Sequence, residues 1–420
     1  MARTVEIVYP VCCGMDVHKS FIVACVAVTD EHSHTEHHIK RFSTFTGDLR
    51  RLVNWLASYN CRDVCMESSG KYWIPVFNAL ERTCNVCLTH PKYVKAIKGK
   101  KTDKKDAKWI SELFKCDLVR SSFIPPSDIR QLRDLCRYYV KLTSFVSSEK
   151  NRAQNCLTMC NFKLDDVFTD VFGKSATRVL DALLEHGNGN FELDGLLSAK
   201  CKSSPEKVHA ALDGELNPTQ TEKLSLIRRH MNDLTSLKAS LETLIYDLAA
   251  KYKPQIDLLL TVPGISTQLT AIRILAEIGA DMSVFETAKQ LTSWAGLTPQ
   301  NQESAGKKKT TRIGRAGAYI KPLLVQIALS CGKSNKCPEL KNKYLDLKKR
   351  RGGKKAVIAI ARKLLTAIWH ILSKNETYNF ELYRKADKPP VTRELTTAQA
   401  VALLRSKGFV IVDMETGEVA

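Results

Sequence analysis

Four carboxylates fall where apolar runs end or a helical pattern begins. Asp16 closes a run in Gly14-Met15-Asp16-Val17-His18-Lys19, and Glu67 closes another in Cys65-Met66-Glu67-Ser68. Asp103 and Asp106 sit three apart in Thr102-Asp103-Lys104-Lys105-Asp106-Ala107, on one face of the helix that this pattern predicts. Hard oxygen donors drawn together from such distant positions suit Mg²⁺, which keeps part of its water and engages phosphate. Two ions about 3.5–4 Å apart are the usual nuclease arrangement. Lysines crowd the later pair: Lys92, Lys95, Lys98, Lys100, Lys101, Lys104, Lys105 and Lys108. Carboxylates among so many cations fit a phosphodiester held beside metal; surface acids on a solvated helix are the plain alternative.

The acids converge only if the right elements carry them. Residues 1–120 alternate between β-rich and helical patterns. Strands are expected at 5–15, 21–29, 38–45, 64–66 and 86–88, with helices around Leu49, Leu52, Val53 and Leu56, then at 73–80 and 104–114. The order β-β-β-α-β-α-β-α is that of an α/β RNase H-like (RuvC-like) fold, three antiparallel strands followed by crossover units. In such a sheet the first and fourth strands are neighbours and the last helix crosses near their ends, which would gather Asp16, Glu67, Asp103 and Asp106.

A second group of motifs lies beyond residue 255. Val262-Pro263-Gly264-Ile265 precedes a helical run at 269–278 and resembles a helix-hairpin-helix, whose turn amides face DNA phosphate. Trp294-Ala295-Gly296-Leu297-Thr298-Pro299 follows, then Gln302-Glu303-Ser304-Ala305-Gly306-Lys307, then Thr311-Arg312-Ile313-Gly314-Arg315-Ala316-Gly317. A serine flanked by small residues and followed by cations can be a nucleophile toward a phosphodiester, although such a serine also caps turns.

Between the two groups, Pro125-Pro126 opens a basic helical stretch at 129–157, and a Gly/Asn break at 187–190 divides the region. Residues 224–248 carry heptads, with Leu224, Met231 and Ile245 at a, Ile227, Leu234, Leu241 and Leu248 at d, and Lys238 at the remaining a position. An intermolecular coiled coil and an intramolecular helix pair both fit. The pattern gives four segments: 1–122, a helical linker at 123–255, a mainly α domain at 256–375 bounded by a strongly basic stretch at 333–363, and a tail at 376–420 with one helix and one strand at 408–413.

Composition narrows the class. A chain of 420 residues with 44% hydrophobic residues buries real cores and is expected to form two or three domains. Sixty-four lysines and arginines against 44 acids leave +20, which favours a polyanion such as nucleic acid. No uninterrupted apolar run reaches the roughly 20 residues of a spanning helix, and no leader is evident, so a cytoplasmic protein without a membrane partner is expected. The 14 cysteines are scattered and are expected to be reduced core residues. Cys84-x-x-Cys87-x-x-His90 lacks a matching second half for zinc.

Taken together, these motifs resemble the DEDD transposases, or bridge recombinases, of the insertion-sequence family numbered one hundred and ten. Asp16, Glu67, Asp103 and Asp106 fall on its four acidic positions, with Thr102-Asp103-x-x-Asp106-Ala107 the most specific local motif. Pro263-Gly264, Ala295-Gly296-Leu297-x-Pro299, Ser304-x-Gly306-Lys307 and Ile313-Gly314-Arg315-x-Gly317 follow in the order of its serine-bearing domain. Two positions depart: Ala305 stands where a second glycine is frequent, and Tyr139 where another arginine is common.

The resemblance implies a prokaryotic, nucleoid-associated enzyme that exchanges strands of donor and target DNA under a structured guide RNA. Ser304 would form a 5′-phosphoserine link while the four acids bind Mg²⁺. A homodimer assembling to a tetramer, with serine and acids meeting between protomers, belongs to the same implication. Nucleic-acid contacts fall to Lys98, Lys100, Lys101, Lys104, Lys105, Arg133, Arg137, Gly264, Lys307, Arg312 and Arg315. Two other readings stand beside it: a metal-dependent junction nuclease in which Ser304 is structural, and a non-catalytic nucleic-acid-binding scaffold.

Overall fold

The computed structural model describes residues 6–67, 70–94, 102–186, 190–199, 201–300, 302–304, 307–310, 312–381, 397–410, 412 and 417. The chain divides into two compact units, one of residues 1–252 and 272–286, the other of residues 253–271 and 287–420.

The first unit opens with β1 (Val11–Val17), β2 (Phe21–Thr29) and β3 (Thr35–Ser43), then α1 (Thr46–Ser58), β4 (Asp63–Glu67), α2 (Trp73–Leu80), β5 (Asn85–Thr89), α3 (Pro91–Val94) and α4 (Asp103–Lys115). The sheet order is β3-β2-β1-β4-β5, antiparallel from β1 to β3 and parallel from β1 through β4 to β5. β3 begins three residues earlier than its apolar pattern predicts. The Asp30 carboxylate accepts from the His32 and His34 amides at 2.9 and 2.8 Å and closes the turn early, so pairing starts at Thr29 and Thr35.

Alternation along β1 sends its side chains to two layers. Cys13, Met15 and Val17 join Leu52, Leu56, Val76 and Leu80 of α1 and α2 in one core. Cys12 turns the other way, with Cys65 and with Ile110 and Phe114 of α4. Gly14 lies on that second face: a Cβ there would meet the Ser111 amide nitrogen at 2.3 Å and the Ala107 carbonyl oxygen at 2.4 Å. The missing side chain lets the α4 backbone lie directly on β1.

The unit continues with α5 (Ser127–Met159), α6 (Leu164–Val167), α7 (Lys174–His186), α8 (Pro205–Ala211) and α9 (Pro218–Ala249). α5 and α9 run antiparallel, with the Cys156 thiol 3.0 Å from the Gln220 amide oxygen at one end and Asp128 bound to Lys251 and Tyr252 at the other. The heptad residues Leu224, Ile227, Met231, Leu234, Leu241 and Ile245 are buried. The helix pair is therefore intramolecular. Lys238 is accommodated at its polar a position by placing its ammonium 4.8 Å from the Tyr139 ring centroid.

The second unit holds α10 (Lys253–Leu260), the first turn of α11 (Gln268–Ile278), α12 (Ala288–Trp294), the hairpin β6 (Gln302–Ser304) and β7 (Lys307–Thr310), α13 (Ile320–Lys333), α14 (Pro338–Arg351), α15 (Gly353–Lys374) and α16 (Thr397–Ser406). It is mostly helical, as the pattern predicts, with one short hairpin that the pattern does not show. Among the described residues, 407–410 form no strand, and most of the remaining tail lies outside them.

α15 is long and apolar enough to cross a membrane by length and composition, which an uninterrupted-run test overlooks because lysine and arginine break the run. Ala356, Ile360, Ala361, Leu364, Leu365 and Ile368 are instead buried inside the unit.

Candidate metal centre and serine hairpin

Met15 pairs with Met66, which puts Asp16 and Glu67 one step beyond, at the carboxyl ends of adjacent parallel strands. Asp16 shares a strand face with Gly14, the face that α4 covers. α4 starts beside them: Thr102 caps it by accepting from the Lys105 amide at 3.4 Å, and Asp103 and Asp106 occupy its first turn.

The groups meet. His18 Nε2 lies 3.1 Å from Asp16 Oδ2 and 3.6 Å from Asp103 Oδ1. Among the described residues, Asp16, His18 and Asp103 form the one group of histidine, cysteine or acidic side chains whose ligand atoms lie close enough, within 4.8 Å of one another, to share an ion. Burial raises the Asp16 carboxyl above its ordinary value, His18 draws it back, and Asp103 and Asp106 push it up again. Such mutual repulsion among hard oxygen donors is what a divalent cation relieves, so the donor set fits one.

His18 was not among the acids that the motifs single out. Its ring stacks on Phe21 at 4.5 Å between centroids, and the Arg41 guanidinium lies 3.8 Å from the same Phe21 ring centroid. Its amide donates to the Phe21 carbonyl at 2.9 Å. The signal was the two-residue spacing Asp16-Val17-His18 at a strand end, which places both side chains on one side.

Not every predicted phosphate contact is free for one. Arg133 donates to the Ala276 and Glu277 carbonyls, both at 2.8 Å, and Arg137 grips the Glu277 carboxylate with two bonds of 2.8 Å. Burial lowers the Arg133 guanidinium to about 10. These arginines hold the end of α11 against α5 within the first unit. Lys104 and Lys105 are exposed beside the carboxylates, while Lys98, Lys100 and Lys101 lie outside the described residues.

In the second unit Ser304 ends β6 and pairs with Lys307 of β7. The hairpin base is tied by Pro299 bridging to Ile313 and by the Gln300 amide donating to the Arg312 carbonyl at 2.9 Å. Beneath it the two glycine motifs interlock. A Cβ on Gly317 (φ +73°) would lie 2.2 Å from the Ala295 carbonyl oxygen, and one on Gly296 (φ +67°) would lie 2.7 Å from that of Ala316. Lys321 Nζ donates to the Gly314 carbonyl at 2.6 Å. Arg312 and Arg315 are exposed on the segment leaving the hairpin.

Gly264, at φ +84°, is also held closely: its missing Cβ would meet Cys331 Sγ at 2.6 Å, and that thiol donates to the Pro263 carbonyl at 3.3 Å.

Residues 13–162 match the IS110 DEDD family described as a transposase, and residues 256–345 match the transposase family IS116/IS110/IS902. The transposase of insertion element IS1111A from Coxiella burnetii is 31% identical over 121 residues, 28% of this chain and 33% of that protein. The pilin gene-inverting protein of Moraxella bovis is 30% identical over 165 residues, 37% of this chain and 48% of that protein. The 42 kDa protein of insertion element IS900 from Mycobacterium paratuberculosis is 30% identical over 125 residues, 29% and 31% respectively. The matched stretches thus span a third to a half of these relatives.

Proposed function

The chain belongs to the IS110 family of transposases, and from that premise we propose that it is a DNA recombinase of an insertion sequence, guided by a structured non-coding RNA. The observation that carries the reading is the meeting of Asp16 with the Asp103 and Asp106 helix turn at the carboxyl ends of β1 and β4. The strand order of residues 1–122 supports an RNase H-like domain. Relatives named for transposition and for gene inversion support strand exchange rather than plain cutting.

In this reading Ser304 Oγ forms a bond to phosphorus as the bond from phosphorus to the 3′ oxygen breaks. The serine gives up its proton and the leaving oxygen takes one, so a 5′-phosphoserine and a free 3′-hydroxyl result. Mg²⁺ held by Asp16, Glu67, Asp103 and Asp106 would supply Lewis-acid stabilisation of the phosphoryl oxygens. Arg312, Arg315 and Lys307 beside the serine, Lys104 and Lys105 beside the acids, and the Gly264 turn would bind backbone phosphate. Sequence choice would rest on pairing with the guide RNA.

A homodimer assembling to a tetramer belongs to the same proposal. The α9 seam is already filled by α5, so a second copy would meet other residues of α9, such as Leu226, Leu237 and Leu244, which are half exposed.

The test is trapping of covalent protein–DNA adducts in cells carrying the gene with its native flanks. The wild type should give an adduct that Ser304→Ala and Asp16→Ala both lose. Cut DNA without adduct, undiminished in Ser304→Ala, would replace the reading with a two-metal junction nuclease. Salt-sensitive binding with neither adduct nor cut, unchanged in Asp16→Ala, would replace it with a scaffold.

A further inference from the structure

We propose that the corner between α14 and α15 is a docking surface for the backbone of duplex DNA, an inference that rests on the recombinase reading. Between residues 341 and 363 ten lysines and arginines face one acid, Asp346. Lys348, Lys349, Arg350 and Arg351 make up the last turn of α14 and are exposed. There the negative end of the helix welcomes cations, so alone they would be ordinary helix-end charges.

Their neighbours are placed against the field. Lys354 and Lys355 are exposed in the first turn of α15, at its positive end, and no acid in that turn offsets them. Burial and then the charge of Lys343 push the Lys363 ammonium down to about 8, with Glu339 offsetting this only in part. Among the described residues, none of the exposed cations at this corner is in an ion pair. A folded surface that sustains repulsion between its helices and among its own side chains is one that a polyanion relaxes, with release of counterions.

The form of the corner favours a duplex. Gly352, at φ +83°, turns the chain with open space around it, so backbone can approach backbone. Tyr344 is half-buried and no aromatic ring at the corner is exposed, which removes the stacking platform that unpaired bases and most RNA recognition require. Lysine and arginine alone suffice for register-free contact with B-DNA phosphates. Most of this surface lies past residue 345, where the family match ends.

The test compares the full chain carrying Asp16→Ala, to prevent cutting, with the same chain also carrying Lys348→Gln, Lys349→Gln, Lys354→Gln and Lys355→Gln. Anisotropy is read on a 30-base-pair DNA duplex, the matching RNA duplex and a single strand, across a salt series. The quadruple variant should lose roughly 10–100-fold in DNA-duplex affinity, with a salt slope shallower by about 3–4, near 0.9 per lost phosphate contact. Its melting temperature should equal or exceed the parent's, because like charges have been removed. Unchanged affinity and slope, a loss confined to RNA duplex or single strand, or a lower melting temperature would each overturn the inference while leaving the recombinase reading intact. A parent that binds no duplex DNA at all would overturn both.

Discussion

Asp16 and Glu67 stand in the middle of a five-stranded sheet, on strands paired on both sides and with the first turn of α4 beside Asp16, whereas Ser304 ends a three-residue strand in a two-stranded hairpin. The first arrangement is fixed by packing between distant parts of the chain, since α4 reaches β1 across about ninety residues of sequence. The second hangs on a short base, two motifs some twenty residues apart locked by backbone contact. Both rely on a glycine as an absent side chain, Gly14 under α4 and Gly296 with Gly317 under the hairpin. The difference teaches where tolerance lies: the acids need the whole sheet, while the serine needs only its local base.

Breaking the first framework should have the largest effect. Gly14→Val would drive a branched side chain into the α4 backbone and is expected to cost more than about 3 kcal/mol, with loss of soluble folded protein in urea unfolding. Gly317→Ala should cost about 2–3 kcal/mol, from backbone overlap and strain at positive φ. Limited proteolysis should then show the second unit opening while the first stays resistant; equal loss of both would mean that the hairpin base is not local.

Titration separates two carboxylates of the first unit. Asp128 is held down to about 2, burial being outweighed by its bonds to Lys251, Tyr252 and the Ile129 amide. Its stabilising effect is full above the ordinary carboxylate range and is lost as pH falls toward 2. Asp128→Asn should therefore lower stability at pH 7 by about 1–2 kcal/mol and flatten the acid limb of a melting-temperature profile. Asp16 runs in the opposite sense. Its native form holds a proton more tightly than the unfolded chain, so stability falls as pH rises through its raised value.

A divalent cation that takes the place of that proton should reverse the loss. Millimolar Mg²⁺ is expected to raise the melting temperature by a few degrees near neutral pH, less at pH 4, and not at all in Asp16→Ala. Calorimetry across pH would check this, and a gain that survives Asp16→Ala would move the ion elsewhere. The smallest effect is expected at the helix pair, where Lys238→Ala removes the contact with Tyr139 at about 0.5–1 kcal/mol.

Much of the first unit could be read from sequence because its signals are local and repeated. Apolar runs marked the strands, and their order placed β1 beside β4 before any contact was known. The start of β3 was missed because an Asp30 turn, not hydrophobicity, decides it. His18 was missed because its only signal is a single two-residue step from Asp16 at a strand end; stacking on Phe21 accompanies its contact with the acids. Arg133 and Arg137 were legible as cations but not as structural ones, since their partners lie about 140 residues away. The β6–β7 hairpin was too short and too polar for strand periodicity to reveal.

The interrupted course of the first unit bears on the protein's synthesis. Residues 1–252 leave the ribosome before residues 272–286, and only the later segment brings the Ala276 and Glu277 acceptors of Arg133 and Arg137 and the Phe285 ring that meets Phe123 at 5.0 Å. Until then two guanidinium groups and an aromatic face on and near α5 await partners, a state in which nascent chains depend on chaperones. A gene copy truncated near codon 250 would thus yield a product whose first unit stays unfinished. Quality-control proteases, rather than competition with the intact chain, would be expected to decide its fate.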